Sequence, residues 1–263
     1  MNGVRKIRLC FFFGGLALLF ASCGPIEEEP LLDADGEPVA LPGPYDQWLT
    51  FSAVSPEEEI SLRPTIAIEF DAYLNGDTFN SFGAARLQSG GIHESGRVQY
   101  RMTRKTILFR PNRQLEPELN YILRWTADDL RSVTGAPLHP YALLPSFVTN
   151  EELEDSPPLD FPSVGWQEVE EIFDNHCNFC HGDPGWQLPS LERDELISQR
   201  SEQVDAYLVE PFHPERSYLM HKILPDYPIR RFTVQPPPWS DAAPLSIDDI
   251  ERIEFWIAAG APR

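Results

Sequence analysis

Through the middle of this chain apolar side chains return at every second residue, and that period restricts the segment to strands. Ile66, Ile68 and Phe70 alternate with Ala67 and Glu69, and Val98, Tyr100 and Met102 with Gln99 and Arg101. Tyr121, Leu123 and Trp125 alternate with Ile122 and Arg124, while Ile107 and Phe109 flank Leu108 until Pro111 stops the run. Successive side chains of a strand point to opposite faces, so the pattern buries one face and leaves the other to solvent. Gly, Pro and Asn turns between the runs predict an antiparallel β-sandwich over residues 47–150. His93 and His139 fall in predicted turns and read as solvated loop residues.

Residues 151–164 (EELEDSPPLDFPSV) are acidic and Pro-rich and read as a linker. From about Trp166 the period lengthens to that of a helix, with Val169, Ile172 and Phe173 on one face and Glu168, Glu170, Glu171 and Asp174 between them. Near the C-terminus, Ser246 and Asp249 form a predicted capping box. Ile247, Ile250, Ile253 and Ile257 then share a face beside Trp256, and Gly260 is placed to end the helix.

The first 22 residues have a different character. Arg5, Lys6 and Arg8 precede an apolar run from Leu9 to Phe20, and Ala21, Ser22 and Cys23 follow. A basic stretch, a short apolar stretch and small residues give the layout of a secretory signal peptide, and the run is too short to span a bilayer as a helix. Residues 1–22 are therefore read as the leader, and 23–46, with five prolines among many acids, as a solvated tether. Acidic residues outnumber basic ones by 41 to 21. Nucleic-acid binding needs clustered Lys and Arg to neutralise phosphates, so no nucleic-acid partner is expected, and an anionic membrane surface would repel the chain.

Chemistry concentrates in Cys177-Asn178-Phe179-Cys180-His181. Two thiols three residues apart can each form a thioether with one vinyl group of a single haem, and the next residue then offers an imidazole to the iron. A zinc half-site would need a second ligand pair. The chain has four cysteines, and Cys10 lies in the apolar run and Cys23 at its end. A thioredoxin-like pair would need a βαβ setting, which the pattern lacks. One covalent haem c, held by Cys177, Cys180 and His181, is the expected cofactor. For the sixth iron position Met220 is favoured because Leu219, Met220 and Ile223 share a helical face; His221 and Gln235 are the alternatives, with His213 or water behind them.

Three family resemblances sharpen these expectations. Phe20-Ala21-Ser22-Cys23 resembles a bacterial lipobox with Phe where Leu is usual. It implies lipidation of Cys23 and anchoring in the cell envelope. Gly24 favours the outer membrane over the inner, since the Asp that favours inner-membrane retention in lipoproteins of enteric type is absent there. The stretches SLRPTIAIEFDAYLN, TILFRPNRQLEPELNYILRW and GAPLHPYALLPSFVTN resemble, in order, the bacterial immunoglobulin-like domain of surface-layer and related exported proteins, with Pro64 to Phe70, Phe109 to Tyr121 and Phe147 to Thr149 as matching positions.

IFDNHCNFCHG, ERSYLMHKIL and QPPPWSDAAPLSIDDIERIEFWIAAGAPR resemble the small monohaem cytochrome c domains of planctomycete and myxobacterial exported proteins. Pro214, Ser217, Leu219, Lys222, Trp256, Ile257, Gly260 and Ala261 match, while Gln235-Pro236-Pro237 stands where that family has Met-Pro-Pro. This resemblance implies a multidomain chain: an Ig-like β-sandwich, then an all-α class I cytochrome c-like domain over residues 165–263, its first and last helices crossing at Phe173 and Trp256. The function it implies is electron transfer by a carrier rather than an enzyme, with a redox partner that presents a basic docking face. A haem-based sensor or gas binder, and a surface-structural protein that binds a partner through the Ig-like domain, are the competing readings.

Overall fold

The computed structural model describes residues 49, 51–54, 59–78, 85–125, 130–138, 146–151, 159, 161–182, 188–228, 233–240 and 242–263. The leader, Cys23, the tether and His139 lie outside the described residues.

Eight strands build the first half: β1 Phe51–Val54, β2 Glu59–Ile60, β3 Ile66–Phe70, β4 Ala85–Ser89, β5 Ile92–Arg101, β6 Thr106–Pro111, β7 Asn120–Trp125 and β8 Ser146–Thr149. Their order is β1-β3-β6-β5-β4-β7-β8-β2, antiparallel throughout except for the short parallel β2–β8 pair. Alternation sets the register: Ile66, Ile68, Val98, Ile107, Phe109, Tyr121 and Leu123 are all buried, and Ile66 lies opposite Phe109 as Ile68 does opposite Ile107. His93 lies within β5, opposite Gln88, rather than in the predicted turn.

The sheet curls because β5 serves two partners. Its first four residues pair with β4, and Gly96–Arg101 pair with β6. Phe51 of β1, Phe70 of β3 and Trp125 of β7 then meet as an aromatic triad, with ring centroids 5.8, 5.9 and 6.4 Å apart. Gly96 marks the changeover, and a Cβ there would run into the Phe109 ring and the Arg110 carbonyl. The carbonyl belongs to the paired strand and cannot yield. Gly96→Ala is therefore expected to cost about 1–3 kcal/mol, the usual range for overpacking; a denaturant midpoint equal to wild type would show that the bend tolerates a side chain.

The C-terminal segment holds α1 Trp166–His176, α2 Asn178–His181, α3 Arg193–Ser198, α4 Tyr218–Ile223 and α5 Ile247–Ala258. The spacing of Val169, Ile172 and Phe173 gives α1 its buried face. The Ser246–Asp249 capping box forms and starts α5, and Gly260, at φ +93°, follows its end. Ile250, Ile253, Trp256 and Ile257 are buried, whereas Ile247, in the first turn, is 54% exposed. Trp166 stands between the two helices, its ring centroid 5.9 Å from Phe173 and 5.4 Å from Trp256, so the crossing expected of Phe173 and Trp256 has a third ring in it.

The expected multidomain arrangement, a β-sandwich followed by an all-α class I cytochrome c-like domain, is corrected by this architecture. The chain is organised on one curled β-sheet, which agrees with the Ig-like part alone, and the helices that follow are few and short. Among the described residues only α1 and α5 exceed six residues; Pro189, Pro211, Pro214, Pro225 and Pro228 interrupt the rest, since proline lacks the N–H a helix needs and clashes with the preceding turn. Nor does the segment stand apart: among the described residues a single apolar core runs from the sheet into α1, α4 and α5.

Three carboxylates fasten the segment to the turn between β5 and β6. Glu254 accepts hydrogen bonds from the Met102 N–H, from the Thr103 N–H at 3.2 Å and from the Thr103 hydroxyl at 2.5 Å. The Arg104 Nε donates to Glu251 at 2.6 Å, and the Lys105 Nζ donates to Asp226 at 2.7 Å. Asp226 also accepts from the Tyr73 hydroxyl. The Arg101 guanidinium lies 4.2 Å over the Phe255 ring and 5.6 Å from Phe161, which tucks part of the predicted linker into the same contact.

Candidate functional site

The Cys177–His181 motif sits where α1 gives way to the single turn α2. Cys177 continues α1 by donating its N–H to the Phe173 carbonyl, and the N–H groups of Cys180 and His181 both donate to the Cys177 carbonyl at 3.1 Å. Both cysteines are free thiols. Burial pushes the Cys177 thiol up to about 12, with Cys180 adding to the effect. A thiol held that high supplies almost no thiolate near neutral pH, so Cys177 is ill suited to act as an attacking thiol.

His181 is oriented by a backbone contact. Its Nδ1 lies 2.7 Å from the Pro189 carbonyl oxygen. A carbonyl only accepts, so Nδ1 carries the proton and Nε2 keeps its lone pair. A polar cleft of about 280 Å3 runs beside it, lined by Glu170, Asp174, Asn178, Ser190 and Glu192 among others. Asn178 donates to Asp174, four residues earlier on α1. His176, one residue before the motif, places Nδ1 2.8 Å from the Ala243 carbonyl and so ties the end of α1 to the loop before α5.

The residues proposed for a sixth iron ligand are placed apart in their bonding. Met220 is fully buried in the core on α4. His221, its neighbour, stacks flat on Tyr227 at 4.3 Å between centroids and donates from Nε2 to the Glu215 carbonyl at 3.1 Å. Burial pushes its imidazole down to about 4, so it is neutral at physiological pH. Gln235 donates its backbone N–H to the Lys222 carbonyl, and His213 places Nδ1 3.0 Å from the Glu215 carboxylate. Among the described residues, no group of three or more His, Cys, Asp or Glu side chains is placed to hold a metal ion. With the helical fold also absent, the reading of the chain as a cytochrome c, with iron, metal-binding and electron transfer as its attributes, is corrected here.

Sequence reasoning missed three residues. Pro189, which fixes the tautomer of His181, becomes a neighbour only through the fold. Trp166 stands one helical heptad before Phe173 and was legible from that spacing. Glu254 is charged yet falls on the apolar stripe of Ile250, Ile253 and Ile257, and that misfit was the signal of a buried carboxylate with partners elsewhere.

No family model matches the chain, and no curated protein matches it. Among solved structures, the N-terminal part of the bacterial S-layer protein SbsC is similar at 12% identity and a TM-score of 0.32, over 45% of this chain and 29% of that one. A second structure of the same S-layer protein, rSbsC(31-844), is similar at 11% identity and a TM-score of 0.32, over 45% of this chain and 17% of that one. The alpha-2-macroglobulin of E. coli is similar at 18% identity and a TM-score of 0.29, over 45% and 7%. The match thus spans less than a third of each of these proteins, and a likeness of this size fixes neither fold nor function.

Proposed function

We propose that the chain is an exported protein of the cell envelope whose curled β-sheet serves as a structural module holding a partner. The sheet itself carries the reading. Its two halves share one apolar core, and three carboxylates brace it against the C-terminal segment, giving a rigid body suited to fixing an orientation. Among the described residues no helix is long and apolar enough to cross a membrane. Attachment would come from lipid on Cys23, and Cys23→Ser is expected to release the protein into the soluble fraction; retention in the membrane fraction would point to a different anchor. The partner reading is tested with photo-crosslinking residues placed at Arg97 and Val148, which the sheet turns to solvent, and at Glu168 on α1. A discrete adduct from the sheet positions alone supports it; an adduct from Glu168 alone overturns it.

A second reading concerns the modification of Cys177 and Cys180. Their spacing suits two thioether bonds to one haem, and the contact of His181 with Pro189 leaves Nε2 as the nitrogen free to bind iron. These residues fit the group. Cys177 and Cys180 would hold it covalently, and His181 would offer it a ring nitrogen. Haem staining after denaturing electrophoresis is expected to show a band that Cys177→Ala with Cys180→Ala abolishes; colour lost to the solvent front in wild type would overturn the attachment.

A further inference from the structure

The net charge of −20 is unevenly spread: residues 47–150 hold eleven acidic and ten basic side chains, so the excess of acid lies outside the sheet. Along four strands one face of the sheet is free of acid. In the contiguous run β5-β4-β7-β8, Leu87, Tyr121, Leu123 and Phe147 turn inward and are buried. The alternate positions turn outward, and Arg86, Arg124 and Val148 among them are exposed. The other outward positions are Gln88, His93, Ser95, Asn120, Ile122 and Ser146, none of them acidic. Glu94 stands opposite the buried Leu87 and so belongs to the inner side, and Glu59 lies beyond β8 on the edge strand β2.

The two arginines of this face are set against each other. Arg86 of β4 pairs in register with Arg124 of β7. Side chains directly opposite on neighbouring strands have Cβ atoms about 4.5–5.5 Å apart, and like charges there are destabilising. Among the described residues neither guanidinium has a hydrogen-bond or ion-pair partner, so nothing in the sheet relieves the repulsion. The next row places Gln88 opposite Ile122, and Val148 stands diagonally across from Ile122, opposite Asn120. Two arginines beside a small apolar spot, with acids absent, match the make-up of a protein interface, where arginine is enriched and Asp and Glu are depleted.

From this arrangement we infer that the outward face of β5-β4-β7-β8 is the surface that holds the partner, and that the partner is a protein which sets a carboxylate between Arg86 and Arg124 and an apolar side chain against Ile122 and Val148. The inference rests on the reading of the sheet as a partner-holding module and names the surface and its chemistry. A guanidinium presents its N–H groups as a planar fork that fits a carboxylate, so one Asp or Glu side chain turns two repelling charges into a paired triad. The apolar pair favours a protein over an anionic polysaccharide, which has the charge but no aliphatic side chain to cover Ile122 and Val148.

The probe is a photo-crosslinking residue at Val148, which is 39% exposed, in cells that express the full chain. A protein adduct is expected, and the joined peptide of the partner is expected to carry Asp or Glu within a few residues of the crosslink. Arg86→Gln with Arg124→Gln is expected to lower the yield at least fivefold. Arg63→Gln with Arg113→Gln, which removes the same charge from exposed positions outside the strands, is expected to leave it within twofold of wild type. The Arg86 and Arg124 variant is also expected to melt no lower than wild type, because it relieves a repulsion. A lower melting temperature would mean that the two arginines serve the sheet itself, and overturns the inference. So does an equal loss in the Arg63 and Arg113 variant, a partner peptide without carboxylates, or an adduct to polysaccharide. An adduct from Arg97 but not from Val148, or one whose yield Arg86→Gln with Arg124→Gln leaves unchanged, overturns the inference while the partner reading stands. Absence of an adduct from every sheet position overturns both.

Discussion

Trp256→Ala is expected to lower the free energy of unfolding by about 3–5 kcal/mol, the usual range for removing a buried large aromatic ring. Trp256 is fully buried, and its indole packs against Trp166 where α1 and α5 meet. Its Nε1 donates to the Pro262 carbonyl at 2.9 Å, and the Trp256 carbonyl accepts from the Ala261 N–H, so the ring also pins the chain end after Gly260. Removing the side chain leaves a cavity between two helices that the strands cannot collapse to fill. It also strips the Pro262 carbonyl of its donor. Trp256→Phe keeps much of the volume and loses the hydrogen bond, so it is expected to cost about half as much. Chemical denaturation followed by circular dichroism checks both. A loss below about 1 kcal/mol for Trp256→Ala would mean that the helices do not rely on this contact. Because one core joins the helices to the sheet, the variant is expected to unfold in a single transition at lower denaturant, not to melt the helices alone.

The strands could be read from the sequence because their period is a consequence of geometry at each residue. Ile66, Ile68 and Phe70 had to share a face, and the buried face follows. The bend at Gly96 could not be read this way: it depends on Phe109 and Arg110 of another strand, and a lone Gly in an alternating run has several uses. Helices α1 and α5 were equally legible from apolar spacing and from the Ser246–Asp249 box. What misled was the stretch between them and the stretch before them. Residues 151–164 read as a linker from their acids and prolines, yet Leu159 and Val164 are buried and Phe161 meets Phe255 at 5.5 Å. Three apolar residues without a period gave no signal. At the candidate site the Cys177–His181 spacing is local and could be read directly, whereas the tautomer of His181 depends on Pro189, eight residues further along the chain.

Glu254 carries the largest polar effect expected. Its side chain is buried, and all three of its donors come from the turn between β5 and β6. Glu254→Ala would leave the Met102 N–H buried without an acceptor and free the Thr103 groups, at an expected cost of about 3 kcal/mol. Glu254→Gln retains one acceptor oxygen but turns an amide N–H2 toward groups that donate, so it should cost less than Ala at low pH. The two diverge from wild type as pH changes. Burial raises the Glu254 carboxyl above its ordinary 4.5, more than its hydrogen bonds and Arg101 lower it. A group raised in the folded state contributes its full stability below its unfolded value, and that contribution is lost as pH climbs through the folded one. Wild type should therefore lose stability relative to Glu254→Gln as pH rises above 4.5, and the gap between the two should narrow. Urea denaturation of both proteins at pH 4.5, 6 and 8 measures it. A gap that widens with pH would mean that the three donors hold the carboxylate as a favoured anion, and that the clamp on the β5–β6 turn is strongest when charged.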